Sequence, residues 1–374
     1  MTDANARAQA LMDELVRRDA ERGLQVAAYI DGELVVDAWA GIADATTGRP
    51  VDGDTLFCVF SSSKGITATV MHLLADRGGL DYDAPVARYW PEFGAHGKQD
   101  ITVRQVLAHT AGVPHMPEGV GPAEMCDWER ICAGIADLSP LWEPGTATGY
   151  HALTFGWILG EVAQRVDGRR FATLVQEEVC QPLGIDSLYF GIPDAVEPRV
   201  ALLESAPIAA APPPTDALIA RAVPLSLWPL HTVFNRPDVR RAVIPAGGGI
   251  MNARSLARHY AALACGELDG VRLLPPDRIR LATALQTADL DRVAGAPMVK
   301  GLGYFLWGPP TPIGDRVRAF GCGGAGGSIG FADPAHRFAF ALTKTRMTNN
   351  PLDQDAASLI LREVRAALGI PEVG

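Results

Sequence analysis

Strand patterns occur at both ends of this chain, whereas its middle has mainly helical spacing, and this order strongly constrains the fold. Near the start, apolar residues at 26–30 and 34–39 flank Asp31-Gly32, a dipeptide typical of a tight hairpin turn. Four more strand-like segments follow late in the chain, at 303–307, 317–320, 328–331 and 338–342. We therefore expect both chain ends to share one sheet, which hairpin connections make largely antiparallel.

The helical pattern is spread over most of the remaining sequence. An amphipathic helix is expected at 1–15, and further helices at 102–107, 128–138, 153–166, 171–179, 255–263 and 352–368. The proline-rich stretch 205–240 is interpreted as an extended connection that lines a pocket, because its prolines oppose a long helix.

These patterns predict an α/β (α+β) fold with two domains. Residues 1–84 and 241–374 form an α/β domain built from both chain ends, and residues 85–240 form a mainly helical domain with long loops. The active site is expected at the junction of the two domains, since pockets often form there.

A serine and a lysine three residues apart lie where the first central helix begins. Ser61 is suited to cap that helix, and apolar residues follow at Ile66, Val70 and Leu73. Lys64 projects from the same face as Ser61, so its amine can take the serine proton if burial disfavours the ammonium form. The alternative is a capping serine followed by a solvated lysine, and a bare Ser-x-x-Lys pattern also arises by chance.

Composition excludes several classes of partner. The net charge is −10, the pI is near 5.3 and no basic cluster is present, which argues against binding to nucleic acid or to an anionic membrane surface. The first fifteen residues carry acidic side chains, unlike a signal peptide, and no uncharged apolar stretch reaches the ~18 residues of a membrane span. We expect a cytoplasmic protein, and a homo-oligomer is compatible with the sequence.

Metal and cofactor signals are weak. The six cysteines are widely spaced without a Cys-x-x-Cys pair, and the histidines lack a His-Glu-x-x-His pattern. Gly321, Gly323 and Gly326 satisfy Gly-x-Gly-x-x-Gly, but the strand-then-helix context of dinucleotide binding is missing. We predict reduced thiols, no metal and no cofactor.

Four motifs in a fixed order carry a family resemblance. They are Ser-Ser-Ser-Lys at 61–64, Leu-Ala-His-Thr-Ala-Gly-Val-Pro at 107–114, Trp-Glu-Pro-Gly at 142–145 leading to Tyr150, and a glycine-rich turn from Gly321. Together they resemble the serine β-lactamase and penicillin-binding-protein fold over nearly the whole chain. The closer resemblance is to the family VIII carboxylesterases, which are esterases similar to class C β-lactamases.

This resemblance implies roles for six positions. Ser61 would be the nucleophile, and Lys64 and Tyr150 would manage its proton, with a tyrosine phenol that ionises more easily beside the lysine ammonium. The alternative for Tyr150 is a buried aromatic whose hydroxyl bonds to the backbone. By resemblance, the N–H groups of Ser61 and Ala325 would hold the oxyanion, while Gly323 and Gly324 allow close approach of substrate.

The chain departs from the family pattern at two positions. Tyr150 is followed two residues later by Ala152, where relatives often have an asparagine that holds the amide of an antibiotic. Cys322 replaces a lysine or histidine at a candidate substrate-binding position, so it offers no cation to a substrate carboxylate. The alternative is that Cys322 is a small buried residue. His151 is a candidate for orienting water or substrate, and a packed loop histidine is about equally compatible.

The remaining candidates are aromatic. Trp228, Trp307 and Tyr304 are suited to line an apolar acyl pocket, and ordinary core positions explain them as well. His109 and Lys344 are assigned structural roles, His109 in fixing a loop through bonds to the backbone.

The sequence thus predicts a serine hydrolase that cleaves small-molecule carboxylic esters through a covalent acyl-enzyme. A transacylase that passes the acyl group to an amine or alcohol is the first alternative. A β-lactamase or D-Ala-D-Ala peptidase-type activity and a non-catalytic binding protein on the same fold are further alternatives.

Overall fold

Both ends of the chain contribute strands to one seven-stranded antiparallel sheet, as expected. The computed structural model describes residues 3–205, 213–215, 217–307, 319–348 and 355–371. The strand order is β3-β2-β1-β7-β6-β5-β4. The strands are β1 (Gly23–Ile30), β2 (Glu33–Asp44), β3 (Arg49–Pro50), β4 (Phe305–Trp307), β5 (Ala319–Gly323), β6 (Ile329–Asp333) and β7 (Phe338–Lys344).

The join between the chain ends is the pairing of β1 with β7, in which Ala27 lies opposite Ala341. On its other side β1 forms the predicted hairpin with β2. Asp31 and Gly32 both have left-handed backbone angles, with φ of 51° and 87°, which explains why this dipeptide is found at the turn.

Alternate residues of β1 face two separate helical layers. Val26 and Ala28 pack with α1 (Asp3–Arg17) and α5 (Ala356–Leu368). Ala27 and Tyr29 belong to the larger core on the opposite face, which contains α2 (Ser63–Asp76), α3 (Thr154–Asp167) and α4 (Ala253–Cys265). The sheet is therefore covered by helices on both faces.

Helix α2 is buried on all sides from Ser63 to Ala75. A Cβ atom at Gly65 would lie 2.0 Å from the Tyr260 hydroxyl, so the glycine is required for α2 and α4 to pack this closely. Burial of a whole helix leaves any charged group on it without solvent, and Lys64 is such a group.

The helices expected in the middle of the chain are present, with small shifts at their ends. The shorter helices are Val86–Tyr89, Val103–Leu107, Pro122–Met125, Trp128–Ala136, Phe171–Val175, Leu218–Ala222, Leu230–Phe234, Pro237–Arg241 and Pro276–Ala282. The 3-10 turns are Phe60–Ser62, Pro91–Gly94, Asp194–Arg199, Leu225–Leu227 and Pro334–His336, and a π turn spans Gln176–Cys180. A small sheet joins Phe57–Cys58, Gly249–Met251 and Leu188–Phe190, and Glu204–Ser205 pairs with Arg346–Met347.

The prediction of an extended connection at 205–240 is wrong for the second half of that stretch. Residues 218–241 form short helices and a 3-10 turn, and prolines at 224, 229 and 237 separate them, because proline tolerates a helix start and opposes its interior. Residues 206–212 and 216 lie outside the described residues, as do 317–318 of one predicted strand and 352–354 of the closing helix.

None of the helices in the described parts of the chain combines the length and the apolar character that a bilayer span requires. The division into domains at residues 85 and 240 stays a prediction.

Candidate active site

Ser61 lies in the 3-10 turn Phe60–Ser62, directly before α2. The expectation that Ser61 caps the helix is wrong, because Ser62 occupies the cap position and no side chain caps there. Phe60 has a left-handed φ of 47°, a conformation that costs on the order of 1–3 kcal/mol for a residue other than glycine. A 2.5 Å bond from Ser63 Oγ to the Phe60 carbonyl and ring contact with Phe234 at 4.9 Å hold this turn.

The Lys64 amine has three oxygen neighbours. Its Nζ lies 3.0 Å from Ser61 Oγ, 2.7 Å from the Ala152 carbonyl and 2.8 Å from the Ala246 carbonyl. A neutral amine has two N–H groups and one lone pair. With both N–H groups donated to the two carbonyls, the lone pair is available to accept the Ser61 proton.

Burial brings the pKa of Lys64 down from 10.5 to about 7. The cause is desolvation, because removing an ammonium from water disfavours its charged form. A substantial fraction of this lysine is therefore neutral near pH 7, which is the state that a general base requires.

Tyr150 is the second side chain that contacts Ser61 Oγ. Its hydroxyl donates to Ser61 Oγ at 2.7 Å, and its ring centre lies 4.9 Å from Lys64 Nζ. Burial raises the pKa of Tyr150, and the bond to Ser61 only partly opposes this shift. The sequence predicted easier ionisation, but the pKa shifts in the opposite direction because desolvation of the phenolate dominates. Tyr150 therefore remains a proton donor.

The glycine-rich turn after β5 lies beside the nucleophile. A Cβ atom at Gly324 would be 2.1 Å from the Val59 carbonyl, so glycine is needed for the turn to approach the chain that carries Ser61. Ala325 lines the same two cavities as Ser61, and its N–H makes no backbone hydrogen bond to another described residue. This placement is compatible with the predicted oxyanion role of Ala325, which stays a prediction.

Two cavities meet at Ser61, Tyr150 and Ala325. The larger and more open one has a volume of about 610 Å³, and its other lining residues are Pro297, Met298, Val299, Phe305, Leu306, Trp307 and Gly323. The smaller and more enclosed one has a volume of about 210 Å³, and its other lining residues are Phe60, Ala152, Leu153, Ile219, Val223, Leu227, Trp228, Leu230, Phe234 and Gly247. Among the described residues that line the two cavities, none carries a charged side chain.

Of the predicted pocket residues, Trp228 lines the smaller cavity, and Gly323 and Trp307 line the larger one. Tyr304 lines neither cavity. It is buried, and its hydroxyl lies 2.7 Å from Thr69 Oγ1.

The structure does not bring His151 to either cavity. Its Nε2 accepts from the Val113 N–H at 3.1 Å and its Nδ1 lies 2.6 Å from the Gly149 carbonyl, so both ring nitrogens are occupied. Burial lowers the pKa of His151 to about 3. These contacts favour the packed alternative over a role in orienting substrate.

Cys322 also points away from both cavities. It is fully buried, its Sγ lies 3.7 Å from the Gly303 carbonyl, and burial raises its pKa to about 12. Side chains alternate between the two faces of a strand, so Gly323 faces the larger cavity and Cys322 faces the core. This favours the small buried residue over a substrate contact.

Sequence reasoning missed an ion pair near the site. Asp291 and Lys300 form a buried ion pair behind Tyr150, and no spacing in the sequence connects these two loop residues with Tyr150. Ile219, Val223 and Leu227 line the smaller cavity, and they lie in the stretch 205–240 that was expected to line a pocket, although none of the three was singled out.

Within the described residues, no group of three or more histidine, cysteine or acidic side chains is placed to hold a metal ion.

The sequence matches the Beta-lactamase family over residues 8–365. The esterase/beta-lactamase LipL of Mycobacterium tuberculosis is 39% identical over 357 residues, which cover 90% of this chain and 80% of LipL. A solved family VIII carboxylesterase superposes with a TM-score of 0.87 at 35% identity, over 98% of each chain. A novel penicillin-binding protein homolog from Caulobacter crescentus has a TM-score of 0.87 at 36% identity, over 98% of this chain and 97% of that chain. As the four ordered motifs predicted, the chain belongs to the Beta-lactamase family.

Proposed function

We propose that this protein hydrolyses carboxylic esters through a covalent acyl-Ser61 intermediate. The observation that carries the proposal is that one oxygen, Ser61 Oγ, lies 3.0 Å from a lysine amine with a pKa of about 7 and 2.7 Å from a tyrosine hydroxyl. A base on one side and a proton donor on the other are what acyl transfer requires. The names of LipL and of the family VIII carboxylesterase support esters as the substrate class.

In acylation, Lys64 Nζ takes the Ser61 proton as Oγ attacks the ester carbon. The N–H groups of Ser61 and Ala325 stabilise the oxyanion. The carbon–oxygen bond to the alcohol then breaks, Tyr150 gives its proton to the departing alkoxide, and the proton held on Lys64 restores the tyrosine. In deacylation, Lys64 takes a proton from the water that adds to the acyl carbon. As the bond from the acyl carbon to Ser61 Oγ breaks, Tyr150 gives its proton to Oγ, and the proton held on Lys64 restores the tyrosine.

The two cavities suggest where each half of the ester binds. The alcohol leaves while the acyl group stays attached to Ser61, so the more open cavity is suited to the alcohol and the more enclosed one to the acyl group. One water molecule occupies roughly 30 Å³ in the liquid, so the smaller cavity has the volume of roughly seven water molecules. Its volume is about 210 Å³. We therefore propose acyl groups of short to medium length without charge.

A transacylase activity is the second candidate. The larger cavity is lined mainly by apolar side chains and is vacated when the alcohol leaves, so it can admit another alcohol as the acyl acceptor. The ratio of acid to transferred ester, measured with added alcohol, separates the two reactions. A cytoplasmic location and the absence of a nucleic-acid partner stay predictions from the sequence, which is also compatible with a homo-oligomer.

The first prediction concerns the nucleophile. Wild-type protein incubated with p-nitrophenyl butyrate should gain one butyryl mass, and Ser61→Ala should gain none, because the attacking oxygen is removed. Intact-protein mass spectrometry measures this directly. The variant should keep its fold since Ser61 caps no helix, and an adduct of undiminished intensity in Ser61→Ala would exclude the proposed nucleophile.

The pH dependence of hydrolysis reports on Lys64. Catalysis needs the neutral amine, whose fraction rises with pH up to and through a pKa of about 7. The value of kcat/KM should therefore rise about tenfold per pH unit below pH 6 and level off above pH 8. Rates are corrected with Ser61→Ala as the blank. A flat profile between pH 5 and 8 would contradict the assignment of Lys64 as the base.

Neutral esters should be hydrolysed much faster than carboxylate-bearing lactams. Ala152 offers no side-chain amide, and no charged side chain is found among the described residues that line the cavities. Each polar substrate group left unpaired costs ~1–3 kcal/mol, or roughly 5- to 150-fold in rate. Comparison of kcat/KM for p-nitrophenyl butyrate and nitrocefin on one preparation tests this, and equal values would contradict it.

Two glycines allow a matched test of where the acyl group binds. A Cβ atom at Gly247, in the smaller cavity, would meet its nearest neighbour Leu153 at an ordinary 3.6 Å, and one at Gly323, in the larger cavity, would meet Ser328 O at 3.9 Å. Neither change to alanine should strain the fold. Gly247→Ala should lower kcat/KM for hexanoate relative to acetate by roughly tenfold.

Gly323→Ala is the control, and it should leave the ranking of acyl chain lengths unchanged while altering the ranking of alcohol groups. Kinetics on two ester series, one varied in the acid and one in the alcohol, measure both effects. The reverse pattern would place the acyl group in the larger cavity.

A further inference from the structure

Behind Tyr150 lies an ion pair that the ester mechanism does not use. The side chains of Asp291 and Lys300 are 0% and 1% exposed and contact each other directly. Lys300 Nζ also donates to Thr148 Oγ1 at 2.7 Å. A buried ion pair is weak support for stability, because desolvation offsets much of the attraction between the charges. Its position beside the site therefore calls for another explanation.

Asp291 connects its loop to the backbone of Tyr150. Its Oδ1 accepts from the Tyr150 N–H at 2.9 Å, and also from the N–H groups of Val293 at 2.9 Å and Ala294 at 2.8 Å. The Arg292 N–H adds a 3.0 Å bond to the Thr148 carbonyl. The segment 148–150 is thus held by the loop that begins at Asp291.

His109 holds the same segment from the other side. Its carbonyl accepts from the Gly149 N–H at 3.0 Å, its Nδ1 accepts from the His151 N–H at 3.1 Å, and its ring centre lies 5.3 Å from that of Tyr150. Tyr150 itself, however, has its backbone N–H bonded to Asp291. Removal of that acceptor would leave the tyrosine held mainly through its neighbours.

Lys300 keeps the acceptor in its ionised form. Burial alone would raise the pKa of Asp291, but the bond from Lys300 and the backbone N–H groups outweigh burial and hold the pKa below its usual value. Burial lowers the pKa of Lys300, and Asp291 acts in the opposite direction. Each group thus favours the charged form of the other.

We propose that Asp291 is a positioning residue for Tyr150, and that Lys300 orients Asp291 for this role. The Tyr150 hydroxyl must stay within hydrogen-bond reach of Ser61 Oγ, now 2.7 Å away, and a displacement of ~1 Å can cost roughly 100-fold in rate. The inference rests on the proposed ester hydrolysis, because it assigns Asp291 a function only if Tyr150 takes part in catalysis.

The test compares two neutral replacements of the ion pair. Asp291→Asn with Lys300→Met keeps an oxygen that can accept from the Tyr150 N–H, whereas Asp291→Ala with Lys300→Met removes it. Neither leaves a buried charge unpaired. The asparagine version should hydrolyse p-nitrophenyl butyrate close to the wild-type rate, and the alanine version should lose roughly 10- to 100-fold in kcat. KM should change little.

A double-mutant cycle separates positioning from general damage. In a Tyr150→Phe background, which lacks the hydroxyl to be positioned, the alanine version should cause little further loss. The control is the buried pair Asp333 and Arg365, 2.8 Å apart and remote from the site, changed to alanine and methionine. Its effect on kcat should be the same with and without the Tyr150 hydroxyl.

Full additivity of the Asp291 effect with Tyr150→Phe, or equal losses in the asparagine and alanine versions, would overturn the inference. If the alanine version does not fold, the cycle is run with Thr148→Val, which removes only the Lys300 bond. Its smaller loss in kcat should again disappear without the tyrosine hydroxyl, and an additive or absent loss would contradict the proposal. An acyl adduct on Ser61 in wild-type protein supports the proposed ester hydrolysis by itself. If the adduct forms and the cycle fails, only the inference about Asp291 is overturned.

Discussion

The removal of the Lys64 amine from water is the constraint on which the site depends. Helix α2 is buried on every side, so an amine on its first turn can reach only what the protein supplies. The protein supplies two carbonyls, of Ala152 and Ala246, and the hydroxyl of Ser61. Desolvation then brings the pKa to about 7, so that the amine is partly neutral near pH 7, as its proposed role as a base requires.

The same burial shifts the pKa of Tyr150, the proposed acid, in the opposite direction. Desolvation penalises the phenolate of Tyr150, so its proton is retained until a stronger base, such as the departing alkoxide, is present. One physical effect therefore separates the roles of the two groups on either side of Ser61. The two residues then need only be held at the right distances, which the chain achieves through close backbone contacts at Gly65 and Gly324 and through the bonds to residues 149–151.

Substrate choice follows from the walls of the two cavities. The part of their lining that the structure describes contains aliphatic and aromatic side chains and no charged one, and Cys322 faces the core. The proposed preference for neutral esters over lactams therefore rests mostly on absent polar groups. Such absences disfavour a charged ligand because its desolvation would go uncompensated.

The sequence by itself determined the order of strands and helices, the hairpin at Asp31-Gly32, the pairing of Ser61 with Lys64, and, through four ordered motifs, the family and the approach of Tyr150. These features rest on local spacing and backbone preference, which a linear pattern records. Tertiary structure alone decided the rest. The pKa of Lys64, the retained proton of Tyr150, the inward direction of Cys322 and the bond from Tyr150 to Asp291, 141 residues away, depend on which groups long-range packing brings together. Desolvation and strand orientation are properties of that packing, so no local pattern in the sequence encodes them.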